Sequence, residues 1–230
     1  MIRTYCAMVA GVMLFATVGL AAEKAAPTTQ PLTGEWQSLF DGKTLGKWKV
    51  TEFGGQAEVK IKDASILLPI GNDMTGVTYG GEFPKINYEL ELEAARVDGN
   101  DFFCGLTFPV NKNCASLILG GWGGTLCGIS SIDGHDASDN STTSMRQFTK
   151  GQWYKVRVRV TEGRIQAWLD KDPIVNVDIA EKRMDVRMEV ELCKPLGIAT
   201  WQTAGQMRNI RVRTLYADEI EEAKKMGEEK

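Results

Sequence analysis

The sequence predicts an all-β fold, a two-sheet antiparallel sandwich, and three observations carry that prediction. The first is the stretch Gly151 to Ile179, where Tyr154, Val156, Val158 and Val160 alternate with Trp153, Lys155, Arg157 and Arg159. Period two puts apolar side chains on one face and charged ones on the other, as in a half-buried strand. The second is punctuation. Thr161-Glu162-Gly163 and Asp170-Lys171-Asp172-Pro173 separate that run from two more, Arg164 to Leu169 and Ile174 to Ile179. Tight turns of this kind join three antiparallel strands into a meander, and a meander with one apolar face must pack on a second sheet. The third is recurrence: strand-like runs return roughly every 8 to 12 residues, a spacing that suits a sandwich rather than alternating βαβ units.

Taken from the N-terminus, residues 1–21 read as a signal peptide. Arg3 gives a positive start, Cys6 to Leu20 is nearly continuous in apolar residues, and Gly19-Leu20-Ala21 supplies small residues before cleavage at Ala21 or Ala22. The run is short for a membrane span of about 20 residues, and no basic stop-transfer cluster follows it. The expectation is an exported chain, periplasmic or extracellular, with no integral membrane span after cleavage. Residues 22–33, AEKAAPTTQPLT, form a flexible leader. One domain then spans 34–215. Its strands are predicted at Gln37 to Phe40, Ala57 to Ile61, Ser65 to Leu68, Thr78 to Gly80, Asn87 to Val97 and Phe102 to Phe108. Ser116 to Leu119 and Leu126 to Ser130 come next, then the meander, then Arg187 to Cys193, Ile198 to Thr200 and Met207 to Leu215. Residues 216–230 are rich in Glu, Lys and Ala and polar on nearly every face, which predicts a loosely docked helical tail.

Charge and cysteine content exclude several classes. The chain has 27 Lys and Arg against 30 Asp and Glu, and only Arg3 would leave with the signal peptide, giving a mature net charge of −4. Mild acidity without a basic cluster argues against nucleic acid or anionic membrane as the partner. Cys104, Cys114, Cys127 and Cys193 permit two disulfides in an exported chain. Their apolar surroundings favour four buried thiols instead, and none of their spacings matches a zinc site.

Three constellations offer chemistry. In Tyr88-Glu89-Leu90-Glu91-Leu92-Glu93 the glutamates share one strand face, about 6.5 to 7 Å apart per step. That spacing suits the paired carboxyls of a glycosidase. The same residues would otherwise face water and pair with cations such as Arg157, Arg159 or Arg187. The loop Ser130 to Asn140 holds the chain's one histidine, His135, beside Asp133, Asp136 and Asp139. A histidine near carboxylates gains basicity, while Asp133, Asp136 and Asp139 supply oxygens suited to Ca²⁺ or a similar divalent cation. The alternative is a solvated loop whose aspartates cap turns. Among the aromatics, Trp36, Trp48, Trp153 and Trp168 are expected in the core. Trp122, in Gly120-Gly121-Trp122-Gly123-Gly124, and Trp201, followed by Gln202, are candidates to stack on sugar rings, with Gln202 and Asn140 bonding hydroxyls. No Gly-x-Ser-x-Gly elbow and no phosphate-binding loop occur.

Two end motifs carry a resemblance. Leu39-Phe40-Asp41-Gly42-Lys43-Thr44-Leu45 with Trp48 resembles the opening signature of the 3-keto-disaccharide hydrolase domain family, and Arg208-Asn209-Ile210-Arg211 resembles its final strand. Gly151-Gln152-Trp153-Tyr154 is similar to its penultimate hairpins. The resemblance covers about residues 34–215 and departs from the common pattern at Met207 and over Gly120 to Thr143. It implies a concanavalin A-like jelly roll and an oligosaccharide or 3-keto-glycoside as the partner. The chemistry it implies is removal of the C2 proton next to a C3 ketone, elimination of the glycosidic oxygen and hydration, with no cofactor other than the divalent ion. Glu93 matches an acidic position typical of the family. His135 or Glu93 is the expected base, Asp133 a further catalytic residue, and Asp133, Asp136 and Asp139 the expected metal ligands. The alternative functions are a non-catalytic, lectin-like carbohydrate-binding module of the cell envelope and a structural surface protein. The sequence leaves the oligomeric state open.

Overall fold

A computed structural model describes residues 1–2 and 34–228. The predicted signal peptide and leader fall almost wholly on residues 3–33, outside the described residues. The folded part opens with β1 (Gln37–Ser38), β2 (Trp48–Val50), β3 (Lys60–Lys62), β4 (Ser65–Leu68) and β5 (Met74–Tyr79). It continues through β6 (Tyr88–Gly99), β7 (Cys104–Val110), β8 (Asn113–Gly121), β9 (Leu126–Ser130) and β10 (Ser144–Met145). The meander follows as β11 (Trp153–Val160), β12 (Arg164–Leu169) and β13 (Asp172–Asp178). A 3₁₀ helix (Met188–Cys193), β14 (Gly197–Trp201), β15 (Thr203–Thr214) and α1 (Ala217–Glu228) close the domain.

Two antiparallel sheets result. Sheet A runs β13-β12-β11-β6-β15-β4-β3, with β1 also on β15, and sheet B runs β10-β9-β8-β7-β14-β5-β2. The all-β sandwich read from the sequence is therefore the observed architecture. Alternation decides which way each strand faces. Tyr88, Leu90 and Leu92 of β6 and Val156, Val158 and Val160 of β11 turn inward and meet Leu106, Phe108, Leu117, Leu119 and Ile129 from sheet B in one continuous core. Each such side chain contributes about 1.5–3 kcal/mol of hydrophobic stabilisation when fully buried. Cys104, Cys114, Cys127 and Cys193, the cysteines among the described residues, are unpaired and buried. Burial pushes the thiols of Cys104 and Cys193 up to about 12 and that of Cys127 to about 11.

Several sequence expectations change. Arg187 to Cys193 alternates Met188, Val190 and Leu192 with Glu189 and Glu191, which reads as a strand, yet it folds as the 3₁₀ helix. In that helix residues three apart eclipse, so Val190 and Cys193 are buried while Met188 and Leu192 stay exposed. Only Trp48 of the four tryptophans expected in the core lies there. Trp36, Trp153 and Trp168 sit instead on the outer face of sheet A under Arg211, Arg208 and Arg157, at 4.4, 4.0 and 3.9 Å from ring centre to guanidinium carbon. That face is a charge ladder. Glu89 pairs with Arg157, Arg159 and Arg213, Glu91 with Lys155 and Arg211, and Glu93 with Arg208. Arg187 is not part of it.

The tail expected to be loosely docked is anchored to the same ladder. Glu219 reaches Arg213 Nη2 at 2.6 Å and Arg159 Nη2 at 3.4 Å, and Ala223 of the helix is buried. Hydrogen bonding from Arg213 outweighs burial and holds the Glu219 carboxyl down to about 2. A carboxyl whose folded pKa is depressed stabilises above its unfolded value and loses that contribution as pH falls through the folded one. The helix should therefore undock between about pH 4.5 and pH 2, seen as accelerated amide exchange over residues 217–226. Glu219→Gln should produce the same exchange at neutral pH and lower the melting temperature by roughly 2–4 °C.

Candidate functional site

The outer face of sheet B is built from small side chains. Gly76, Ala199, Gly105, Ile118 and Gly128 form one cross-strand row, and Thr78, Gly197, Thr107, Ser116 and Ser130 the next. Small residues let covering segments approach the sheet closely. A Cβ at Gly197 would meet the Cys193 carbonyl oxygen at 2.6 Å, so glycine is what permits the 3₁₀ helix to lie on β14. Residues 131–143 cover the other end through Ala137, which packs on Ile118 and Leu126. Between these two covers remains a cleft of about 210 Å³. Phe102, Ile118, Trp122, Val190 and Trp201 form apolar walls, while Asp101, Ser116, Ser130, Arg187 and Glu189 supply the polar groups.

Trp122 reaches this cleft from the β8–β9 turn, with its backbone in the left-handed region (φ 49°) and its side chain 45% exposed. A buried arginine shapes the turn. Arg96, at the end of β6 in sheet A, is 4% exposed, and its Nη2 donates to the carbonyls of Asp101 (3.1 Å), Gly120 (3.1 Å) and Gly124 (2.8 Å). Its guanidinium carbon lies 5.1 Å from the Phe103 ring centre and 5.6 Å from that of Phe148. Gly120 (φ 76°) has no alternative residue, because a side chain there would run into that guanidinium. Arg96 therefore ties the far sheet to the rim that presents Trp122.

Opposite stands Arg187, just ahead of the 3₁₀ helix. It donates from Nη2 and Nε to the two carboxylate oxygens of Glu189, at 2.7 and 3.2 Å, and from Nη1 to Asp136. Asp136 in turn accepts from Ser130 Oγ at 2.7 Å, so a hydrogen-bond chain runs from the cleft floor to the guanidinium. The Arg187 hydrogen bond is the main reason Glu189 sits below the usual carboxylate range, and the two carboxylates raise Arg187. At neutral pH the cleft thus presents a fixed cation next to an ionised carboxylate. Such a set can polarise a carbonyl, stabilise an oxyanion and accept a proton.

A family model, the 3-keto-alpha-glucoside-1,2-lyase-like domain, matches residues 35–213. The chain belongs to this family. Comparison with curated proteins finds no match. Among solved structures, the carbohydrate binding module CBM66 from Bacillus subtilis is similar with a TM-score of 0.51 at 12% identity, over 73% of this chain and 96% of that one. A protein of unknown function with a galectin-like fold, also from Bacillus subtilis, gives 0.52 at 10% identity, over 78% and 94%. The Crh5 transglycosylase in complex with NAG gives 0.53 at 8% identity, over 79% and 83%. At such identities the likeness establishes the fold. No helix among the described residues is long and apolar enough to cross a membrane.

Within this 3-keto-alpha-glucoside-1,2-lyase-like domain the residues singled out from sequence are only partly gathered. Trp122 and Trp201 share the cleft, and Asp136 touches it through Ser130 and Arg187. Glu93 is on the opposite sheet, accepting from Arg208 Nε at 2.7 Å and Asn209 Nδ2 at 2.9 Å. His135 is not among the residues lining the cleft. Its side chain is 61% exposed and pairs with Asp139 at 3.3 Å. Asp133 is held by the Arg183 backbone N–H (2.8 Å) and Lys182 Nζ (3.3 Å), and the Arg183 bond is the first cause of its lowered pKa. No three His, Cys, Asp or Glu side chains among the described residues form a group that could hold a metal. Asp133, Asp136 and Asp139 have separate partners: Lys182 and Arg183 for the first, Ser130 and Arg187 for the second, His135 for the third.

Asn140 and Gln202 also have structural partners. Asn140 Nδ2 donates to the carbonyls of Ile129 (2.8 Å) and Asp136 (2.7 Å), bracing the loop that carries Asp136. Gln202 Nε2 donates to Asp73 at 3.1 Å. Sequence reasoning does not reach Arg187 and Glu189 as site residues because the alternation of their segment reads as a strand, with Arg187 as a partner for the Glu89–Glu93 face. The three-residue spacing of Val190 and Cys193 was the available sign that Arg187 and Glu189 lie on a helical rim.

Removing the Arg96 guanidinium takes a donor from the buried carbonyls of Gly120 and Gly124 and from the part-buried carbonyl of Asp101. Arg96→Met should lower stability by about 1–3 kcal/mol, measured by urea unfolding. Arg96→Lys should recover only part of that loss, because a point charge cannot reproduce the planar fork.

Proposed function

We propose that this domain acts on a 3-keto-glycoside bound in the sheet B cleft, with Arg187 and Glu189 as its chemical centre. The observation that carries the reading is one guanidinium set between two carboxylates in a cleft walled by two indoles. The apolar faces of a sugar ring stack on Trp122 and Trp201, and Ser116 and Ser130 bond its hydroxyls. The family description and the carbohydrate-named structural neighbours support a saccharide as the ligand.

The ketone at C3 acidifies the proton on C2. Glu189, kept ionised by Arg187, removes that proton. Arg187 donates to the C3 oxygen as negative charge builds there, an interaction strongest in the transition state. The enolate electrons then form the C1–C2 double bond, and the C1–O bond breaks with its electron pair passing to the leaving oxygen. That oxygen takes back the proton from Glu189. Water adds across the double bond, and the net result is hydrolysis.

A non-catalytic binding module is the second reading. It is favoured by the fact that Asp136 and Glu189 are already partnered by Arg187, while the Trp122 indole beside them is exposed.

Incubation with 3-keto-trehalose, followed by chromatography of the released sugars, separates the two. Turnover should persist in the presence of a chelator. Glu189→Gln should lower kcat/KM by about 10²–10⁴-fold, and Arg187→Met by about 10²–10³-fold. His135→Gln should leave turnover intact, and a collapse of rate in that variant would move the base to the 131–143 loop. Binding of trehalose without turnover of its 3-keto form, abolished by Trp122→Ala, would establish the binding module instead.

A further inference from the structure

The opposite face of the sandwich carries a second hollow that the proposed chemistry does not use. It has a volume of about 450 Å³, and its lining includes Trp36, Ser38, Glu91, Lys155, Asn209 and Arg211. A β-bulge opens it. Between Arg208 and Arg211, β15 places one residue more than β6 does between Glu93 and Glu91. Asn209 absorbs the extra residue in the left-handed region (φ 53°). Bulges of this kind re-aim side chains and are frequent beside binding sites. Here Arg208 and Asn209 both turn to Glu93, while β1, which pairs Ser38 with Arg211, brings Trp36 to the rim.

The charge balance of this face runs against that of the whole chain. Six cations, Lys155, Arg157, Arg159, Arg208, Arg211 and Arg213, meet four carboxylates, Glu89, Glu91, Glu93 and Glu219. Glu89 and Glu91 are more deeply buried than the cations they pair with, their side chains only 3% and 7% exposed. The two most exposed cations, Lys155 at 49% and Arg211 at 42%, both line the hollow. The ladder as a whole thus carries two surplus positive charges on a chain of net charge −3. Inside the hollow Glu91 and Glu93 balance Lys155 and Arg211, with the two cations as the outer, more exposed members.

Burial works to raise the Glu91 carboxyl, and the hydrogen bonds and charges of Lys155 and Arg211 more than offset it. The Arg211 guanidinium carbon lies 4.4 Å from the Trp36 ring centre, a cation–π contact that holds it against the indole. Cation, indole, hydroxyl and amide together recognise a polar ring that bears a carboxylate.

We infer that this hollow is a binding site for an acidic saccharide, a uronate unit whose carboxylate meets Lys155 and Arg211 and whose ring lies along Trp36. The site is separate from the sheet B cleft, and its occupancy is independent of turnover there. Its volume falls within the roughly 300–1,000 Å³ of ligand pockets.

Isothermal titration calorimetry of the full chain with digalacturonate, cellobiose and sodium sulfate tests it. Digalacturonate should bind, more weakly at raised ionic strength, and neither cellobiose nor sulfate should displace it at matched concentration. Lys155→Gln, at a half-exposed side chain, should weaken binding about tenfold, and Lys155→Glu should abolish it. Both variants should leave any 3-keto-glycoside turnover at the parent rate, so failure here is distinct from failure of the cleft reading. Absence of heat with digalacturonate, equal binding of cellobiose, displacement by sulfate, or an unchanged affinity in Lys155→Gln would each overturn the assignment.

Discussion

Sealing two apolar sheet faces against each other is the constraint on which the rest of this structure depends. Because side chains alternate along a strand, every inward residue commits its neighbours to the outside. Tyr88, Leu90 and Leu92 enter the core, so Glu89, Glu91 and Glu93 must stand on the outer face. The outer surfaces are thus fixed in position by the core and free only in composition. Sheet A fills its outer face with interlocked ions and stacked indoles. Sheet B fills its own with glycine, alanine, serine and threonine, which lets two covering segments lie close above it and frame a cleft.

The two faces are joined through the interior by Arg96. A guanidinium without a carboxylate partner inside a sandwich is costly to desolvate, and burial is the leading reason its pKa is lowered. Three carbonyls and two aromatic rings offset that cost. The geometry of the Trp122 rim is therefore specified from the far sheet rather than by local turn chemistry alone.

How much could be read in the chain follows from the range of the forces involved. The first two meander strands and the inward set of β6 depend on period two, which is local, and appear as expected, while the third strand starts at Asp172, inside the expected turn. The strands at Ser65 to Leu68 and Leu126 to Ser130 also match. The family motifs were legible for the same reason, and they turn out to build scaffold. Asp41 accepts from the backbone N–H groups of Lys43 and Thr44 at 2.8 Å each, Trp48 fills the core, and Arg208 with Asn209 secures the bulge. The cleft was less legible because it forms between segments far apart in the chain. Nothing local links Arg187 to Asp136, and the alternation of Met188 to Leu192 imitates a strand. Trp36, Trp153 and Trp168 misled because an indole under a guanidinium has the same apolar signature as one in a core.

The four unpaired thiols carry a consequence for the life history of the chain. Among the described residues the native state holds no disulfide. The hazard lies in excursions from that state. A chain that opens in an oxidising medium exposes four sulfurs with no native mates, and each chance linkage between them blocks return. Durability of this protein is thus governed by how rarely it opens, not by how firmly it is stapled.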